Sequence, residues 1–251
     1  MEIVLLTALG VGGATILGSL IGFVFKKPSQ RFTDITLSFA AGVMLCAAVV
    51  GLIVPSITDK KGSILITIVG ILAGAVCLNL IDKLVPHLHK MTGVDIEKHP
   101  HKTEELNKVL LFVIAIAIHN LPEGVAAGVS FGSENTAHAL TIAGGIALQN
   151  IPEGMVIIAP MIASGMSKKR TLLIAVATGI VEVVGTLIGY FAVSISQAIL
   201  PFALAFAGGT MLYVISDEMI PETHSHGNER YATYSLIAGF LLMLGFDHIL
   251  G

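Results

Sequence analysis

Charged side chains are scarce in this sequence: they make up 12% of its 251 residues, against 54% hydrophobic residues. Soluble domains carry roughly 25% charged residues, so this chain has about half of the usual share. Its mean hydropathy is +0.87. A chain with so few polar groups cannot cover a water-facing surface, and the sequence therefore predicts an integral membrane protein.

Cysteine is nearly absent too, and its placement argues against a disulfide or a thiolate metal site. Cys46 and Cys77 lie in separate apolar segments, where a thiol behaves as a small hydrophobic group. The opening segment MEIVLLTALG lacks the basic stretch and small-residue cleavage site of a secretory signal. We therefore expect it to belong to the first membrane span.

Apolar stretches long enough to cross a bilayer, about 20 residues each, occur eight times. We therefore expect one all-α transmembrane domain over residues 1–251, an eight-helix bundle with a longer loop at 86–105. The predicted spans are residues 3–25, 32–57, 63–85, 106–131, 136–164, 170–195, 199–221 and 231–250.

Basic residues are distributed unevenly between the two sides of these spans. Twelve of the 14 lysines and arginines lie in or beside the loops after spans one, three, five and seven. Only Lys60 and Lys61 lie on the other side. Because cytoplasmic loops carry an excess of Lys and Arg, we expect these loops in the cytoplasm and both termini outside it.

Polar residues interrupt three apolar segments at a similar depth. The fourth span contains HNLPEG, the fifth contains QNIPEG, and the sixth contains one glutamate. In each motif the first polar residue and the glutamate are four apart, so they share one helical face. The polar residues are His119, Asn120, Glu123, Gln149, Asn150, Glu153 and Glu182.

The three glutamates are too costly to be incidental. Each costs roughly 2.5–3.5 kcal/mol at a helix centre, and together they cost about as much as the whole net stability of a domain. No lysine or arginine lies in the interior of any span to form a salt bridge. The compensating charge must therefore come from protons or metal cations.

The two prolines favour a cation site. Pro122 and Pro152 cannot donate to the carbonyls of Ile118 and Leu148. Interrupted helices at membrane depth are typical of transporter binding sites. We therefore expect the fourth and fifth helices to be broken at these prolines.

The residue types narrow the choice of metal. One imidazole, three carboxylates and three amides suit Zn²⁺, Fe²⁺, Mn²⁺, Co²⁺ or Cd²⁺ and disfavour Cu⁺, and the histidine argues against Mg²⁺. Seven ligands exceed the four that Zn²⁺ takes, which leaves room for a second ion bridged by Glu123 and Glu153. The asparagines could instead join helices by hydrogen bonds.

HNLPEG and QNIPEG resemble the signature of the ZIP (Zrt-, Irt-like) family of divalent-metal transporters, specifically its bacterial GufA-like and zinc-uptake branches. The segments GIVEVVG and MLYVISDEMIPETH are similar as well, and the likeness covers essentially the whole chain. The resemblance implies import across the cytoplasmic (inner) membrane, homodimers, and an elevator-like motion in which spans one, four, five and six carry the metal. No cofactor and no nucleic-acid partner are expected.

The resemblance also assigns ligands. The primary site would be His119, Glu123, Gln149 and Glu153, and the second would join Asn120, Asn150 and Glu182 to the two shared glutamates. Many relatives carry histidine in place of Gln149 and an acidic residue in place of Asn150. These departures favour a broad divalent specificity over zinc alone, and a second site of lower charge.

Other polar residues are predicted along the transport route or as transient ligands. Glu218 resembles a family position on the exit route, with Asp217 beside it, and Asp247 lies at the outer end of the last span. The histidines outside the spans could receive metal, or could simply be solvated: they are His87, His89, His99, His101, His224 and His226.

Three other functions have to be weighed against metal transport. An intramembrane zinc protease would need an HExxH motif, which the sequence lacks, so no enzyme activity is expected. A proton-coupled carrier of another solute would leave His119 and the paired amides without a role. A metal-selective channel could use the same ligands as a carrier.

Overall fold

A computed structural model of the chain describes residues 1–25, 28–84, 118–133, 135–163 and 165–250. Over these residues the regular structure is helical throughout. Seven of the described helices are long and apolar enough to cross a membrane. The prediction of an all-helical integral membrane bundle is therefore confirmed.

The helices are numbered in chain order, and their bounds lie within about one turn of the predicted spans. The fourth helix is described only from residue 118, and the loop 86–105 with its four histidines lies outside the described residues. The helices are α1 (Glu2–Val24), α2 (Gln30–Thr58), α3 (Ile64–Leu84), α4 (118–130), α5 (Thr136–Val156, continued by Ile158–Ala163), α6 (Lys168–Ile195), α7 (Gln197–Thr223) and α8 (Glu229–Leu250).

Capping side chains fix where three of these helices begin. Ser29 accepts a hydrogen bond from the backbone N–H of Phe32, and Asn135 accepts one from that of His138. Ser167 caps α6 in the same way. Each side chain satisfies one of the free N–H groups in the first turn, so these short polar connectors set the register of α2, α5 and α6.

Helices α2 and α7 each widen into a π-helical stretch just before a proline. The stretches are Ala47–Ile53, ahead of Pro55, and Ile215–Met219, ahead of Pro221. A proline lacks an N–H and its ring crowds the carbonyl four residues earlier, and a wider turn relieves that crowding. Pro55 therefore cannot donate to the carbonyl of Gly51.

The predicted breaks at the prolines of α4 and α5 are not found there. Helix α5 continues through Pro152 to Val156 and is interrupted at Ile157. Helix α4 also continues past Pro122. Local adjustment of neighbouring turns lets membrane helices accommodate proline, and here it leaves the polar residues on regular helical faces.

The described helices pack as two groups of four. Helices α1, α4, α5 and α6 form what we call the site group, and α2, α3, α7 and α8 form the frame group. Within each group, backbones approach closely at glycines. A Cβ on Gly154 would meet the Thr15 carbonyl, and one on Gly42 would meet the Leu236 carbonyl.

Between the two groups, the contacts at described glycines are made by side chains instead. Ile142 on α5 packs against Gly51 on α2, and the thioether of Met243 on α8 packs against Gly145 on α5. Backbones thus approach each other closely within each group, whereas at Gly51 and Gly145 a side chain of the other group fills the space beside the glycine.

Candidate metal centre

Glu182 lies at the junction of the four helices of the site group. Its carboxylate is fully buried. Oε1 accepts hydrogen bonds from Thr15 Oγ1 on α1 and Asn120 Nδ2 on α4, both at 2.5 Å. Oε2 accepts one from Asn150 Nδ2 on α5 at 2.6 Å. Both carboxylate oxygens of this α6 residue are therefore satisfied by the three neighbouring helices.

Close backbone contacts bring these side chains within reach of each other. A Cβ on Gly124 would meet the Glu182 carbonyl, which shows how closely α4 approaches α6. Asn150 Nδ2 also lies 3.4 Å from the Val11 carbonyl on α1. The close approach of the helices at Gly124 thus helps to position the polar junction.

A second polar contact joins α4 to α5 beside this junction. Gln149 Nε2 donates a hydrogen bond to Glu123 Oε1 at 3.0 Å, and both side chains are at most 1% exposed. The Glu123 carboxyl is also within electrostatic range of those of Glu153 and Glu182. The structure therefore brings the two repeated motifs together, as their spacing predicts.

Four buried oxygens in this region have no hydrogen-bond partner among the described residues. Asn150 Oδ1 belongs to the Glu182 junction, and the other three belong to the predicted primary site: Glu123 Oε2, Gln149 Oε1 and Glu153 Oε1. Leaving a buried acceptor unsatisfied costs about 1–3 kcal/mol, and more when the group is charged. The amide oxygen only accepts, and a carboxyl donates only when it is protonated, so without a proton or a cation the three oxygens cannot satisfy one another. A cation among them would compensate all three, and two carboxylates with an amide oxygen suit a divalent transition metal.

His119, the only nitrogen ligand predicted for this site, lies at the edge of the centre. Its Nε2 is 2.8 Å from Glu218 Oε1 on α7, with 18% and 23% of the two side chains exposed. His119 is also within electrostatic range of Glu153. Over the described part of the chain, no three His, Cys, Asp or Glu side chains are already arranged to hold an ion. Coordination through Nε2 would require His119 to turn away from Glu218, whereas coordination through Nδ1 could leave the Glu218 contact in place.

Among the described residues, the centre is buried toward the beginning of α5 and partly exposed toward its end. Ile142 and Ile146, on the side where α5 begins, are completely buried. Toward the end of α5, Glu153 is partly exposed, as are His119 and Glu218. Because charged groups in contact with lipid are costly, these exposed groups indicate a water-filled opening. We call the two sides the closed end and the open end.

The remaining predicted residues lie outside the centre. His226 lies 3.1 Å from Asp34 Oδ1, and His224 bonds within its own turn and to Thr233. Asp217 is exposed in a cavity of about 330 Å³ between α3 and α7. Asp247 lies at the closed end, 3.4 Å from His138 Nδ1. The structure thus brings Glu218 to the centre and leaves these four elsewhere.

Sequence reasoning missed Thr15, Asp34 and His138. Thr15 is one small residue among many in α1, and only its contact with Glu182 reveals a role. Asp34 is 1% exposed and stands near the start of a span, where a carboxylate usually faces water. His138 follows a helix cap, so it resembles an ordinary polar residue at a helix start. Thr15 and Asp34 are buried and His138 is partly exposed, and what reveals each of them is a contact with a distant helix or turn.

Comparison with known proteins agrees with this arrangement. The model of the ZIP zinc transporter family matches residues 95–247. The zinc transporter GufA of Myxococcus xanthus is 41% identical over 98% of this chain and 98% of its own length. The zinc transporter ZIPB of Bordetella bronchiseptica is 38% identical over 95% of this chain and 78% of its own. The zinc transporter ZupT of Streptococcus mutans is 32% identical over 95% of this chain and 94% of its own length.

These relatives are named as transporters, and the similarity extends over nearly the whole chain. They match a multi-pass helical membrane protein whose polar residues from three helices converge in one buried place. The chain belongs to the ZIP family of metal transporters.

Proposed function

We propose that this protein moves divalent transition-metal cations, Zn²⁺ first among them, across the inner membrane into the cytoplasm. The observation that carries the proposal is the set of three buried oxygens on Glu123, Gln149 and Glu153, which find no hydrogen-bond partner in the described part of the chain. The relatives named zinc transporters support Zn²⁺ as the main substrate. Cd²⁺, Fe²⁺, Mn²⁺ and Co²⁺ fit the same ligand types.

In the primary site, the metal is held by Glu123, Gln149 and Glu153, and His119 completes the set after leaving Glu218. Four ligands of oxygen and nitrogen satisfy the tetrahedral preference of Zn²⁺. The positive charge of the ion replaces the missing counter-charge of the two carboxylates. Glu218, on the frame group, takes His119 back when the metal leaves toward the open end.

The second position, formed by Asn120, Asn150 and Glu182, binds metal weakly. An ion there would have to displace the amide donors that now satisfy both oxygens of Glu182. The asparagines carry no charge to compensate for that loss. Glu182 therefore acts mainly by holding the four helices together around the primary site through its hydrogen bonds. Its role as a metal ligand is secondary.

Transport proceeds by an elevator-like movement of the site group along the frame group. Close glycine contacts and the Glu182 junction support a site group that moves as one body. The frame group has its own tie: buried Asp34 on α2 accepts hydrogen bonds from Gln30 and from Asn228 in the turn before α8. Side chains make the contacts between the groups at Gly51 and Gly145, and side chains can change rotamer as the groups move.

The proposed topology has eight spans, both termini outside, and the open end of the site facing the cytoplasm. Most described basic residues support this orientation, because Lys168, Lys169 and Arg170 begin α6 on the side of the open end, whereas Lys60 and Lys61 follow α2 at the other. The state described is then the inward-facing one. The homodimer is proposed from the family resemblance.

Metal uptake into proteoliposomes tests the proposal. Wild type should show saturable uptake of Zn²⁺ and Cd²⁺, with weaker uptake of Fe²⁺ and Mn²⁺, and Glu153→Ala should abolish it. Glu229→Ala, which removes an exposed glutamate at the start of α8, is the matched control and should transport normally. Metal uptake that does not saturate would favour a channel. Normal uptake in Glu153→Ala, or none in wild type, would favour proton-coupled carriage of another solute.

A further inference from the structure

His138 connects the two groups at the closed end of the centre. It stands on α5, in the site group, and its ring reaches two helices of the frame group. Nε2 lies 3.2 Å from the carbonyl oxygen of Gly51 on α2, and Nδ1 lies 3.4 Å from Asp247 Oδ1 on α8. One side chain therefore bridges three helices across the boundary between the groups.

Both partners of His138 are acceptors. The Gly51 carbonyl lies in the π-helical stretch of α2, where Pro55, four residues later, cannot donate the usual α-helical hydrogen bond to it, and a carbonyl oxygen has two lone pairs. Asp247 Oδ1 is buried and accepts no hydrogen bond of ordinary geometry from the described residues. A neutral imidazole has one N–H, so His138 donates to one of these acceptors at a time, and it donates to both only when it is protonated. Either contact exists only in the closed arrangement.

His138 is also the outermost member of a continuous seam between the groups. Ile142, one turn further along α5, packs on the same Gly51, and Gly145 then packs on Met243 of α8. Met243 precedes Asp247 by four residues, so both lie on one face of α8. Gln149 follows along α5, about 16 Å from His138 at the helical rise. The seam thus separates the metal centre from the closed end.

We propose that His138 is a latch that holds the site group against the frame group at the closed end, so that its removal shifts the protein toward the state open at that end. The proposal rests on the alternating movement proposed above, because metal must enter where the latch now closes the route. His138 acts here as a positioning residue and is not a metal ligand. A contact shifts a conformational equilibrium only if it differs between the two states, and both contacts of His138 cross the moving boundary.

Cys46 provides a native reporter for opening of the seam. It is completely buried on α2 and lies within electrostatic range of Asp247. It precedes Gly51 by five residues, which places it about 7 Å deeper than the latch. The sequence has two cysteines, so Cys77→Ser leaves Cys46 as the only thiol. A membrane-impermeant maleimide added from outside then reports access to the seam.

In the Cys77→Ser background, His138→Ala should increase the labelling rate of Cys46 about tenfold, which corresponds to a shift of about 1.4 kcal/mol toward the open state. His138→Gln keeps an amide donor for the Gly51 carbonyl and should give a smaller increase. His248→Ala removes an exposed histidine at the same end and should leave the rate unchanged. Equal rates in wild type and His138→Ala would overturn the latch. If His138→Ala is not monodisperse, an unchanged rate in His138→Gln overturns it instead.

Two further arms distinguish a latch from a metal site formed by the same side chains. The increase should persist in EDTA, because the latch involves no metal; an increase seen only with added Zn²⁺ would mean that His138 and Asp247 bind metal, and would refute the latch. The increase should also persist in Glu153→Ala. Faster labelling in His138→Ala, with no metal uptake by wild type, would contradict the proposed transport function but support the latch. Normal uptake by wild type, with unchanged labelling in His138→Ala, would support the transport function but refute the latch.

Discussion

His119 of the site group and Glu218 of the frame group are in contact, with Nε2 and Oε1 2.8 Å apart. The contact occupies Nε2 of the one imidazole in the HNLPEG motif. In the proposed mechanism the metal binds this same nitrogen, so metal and Glu218 compete for it. This competition provides a physical reason for metal to leave at the open end.

Replacing Glu218 should slow release of the metal. In Glu218→Gln, His119 loses its charged partner and stays longer on the metal. We expect tighter binding and a turnover roughly fivefold lower, as for the loss of about 1 kcal/mol from a partly exposed charged contact. Zinc binding and uptake kinetics measured on the same preparation check this. Weaker zinc binding in Glu218→Gln would contradict the competition.

Two glycines of α5 offer a matched test of the rigid site group. A Cβ at Gly154 would collide with the Thr15 carbonyl, whereas a Cβ at Gly144 meets nothing within 4 Å. Gly154→Ala should therefore lower the free energy of unfolding by about 1–3 kcal/mol through overpacking strain. The thermal unfolding temperature in detergent should fall as a result. Gly144→Ala should be neutral or slightly stabilising, because alanine favours a helix. Equal effects would argue against close packing of α1 on α5.

The membrane class, the helix bounds and the meeting of the two motifs could be predicted from the sequence because they depend on local properties. Hydropathy marks spans, and a spacing of four residues marks a face. His119 shows the limit of this reasoning: its spacing pairs it with Glu123, but a partner on a distant helix, Glu218, holds it instead. Contacts between remote helices are not encoded in spacing.

The residue type at position 150 should determine how many metal ions each chain binds. Wild type should bind one Zn²⁺ tightly per chain, because the Asn150 amide satisfies Glu182. In Asn150→Asp that donor becomes a carboxylate, and the repulsion between the two acids is relieved by a second cation. Calorimetric titration should then show close to two ions per chain. A wild-type stoichiometry of two would show that Glu182 gives up its hydrogen bonds and binds metal.

Acid should inhibit uptake. Metal binding requires the deprotonated forms of Glu123 and Glu153, so protons compete with the ion. The apparent affinity should fall between about pH 7 and pH 5, by up to roughly tenfold per pH unit for each proton displaced. Saturating metal should restore much of the uptake. Uptake that is unchanged from about pH 5 to pH 8, measured at subsaturating zinc, would contradict charge compensation by these carboxylates.

The roles of Thr15 and Asp34 could not have been predicted from the sequence. A threonine in an apolar helix bonds most often to its own backbone, and only the approach of α1 to α6 turns Thr15 toward Glu182. Asp34 is buried because the turn before α8 folds over it. Both depend on tertiary packing that a single sequence does not specify.

The position of the bound ion decides whether the buried oxygens form the transport site. A structure determined with Zn²⁺, with anomalous scattering measured at the zinc edge, would locate it. We predict a peak about 2.0–2.2 Å from oxygens of Glu123, Gln149 and Glu153, with His119 turned away from Glu218 toward the ion. Zinc found only outside this buried centre, for example beside Asp34 and His226, would contradict the proposed site.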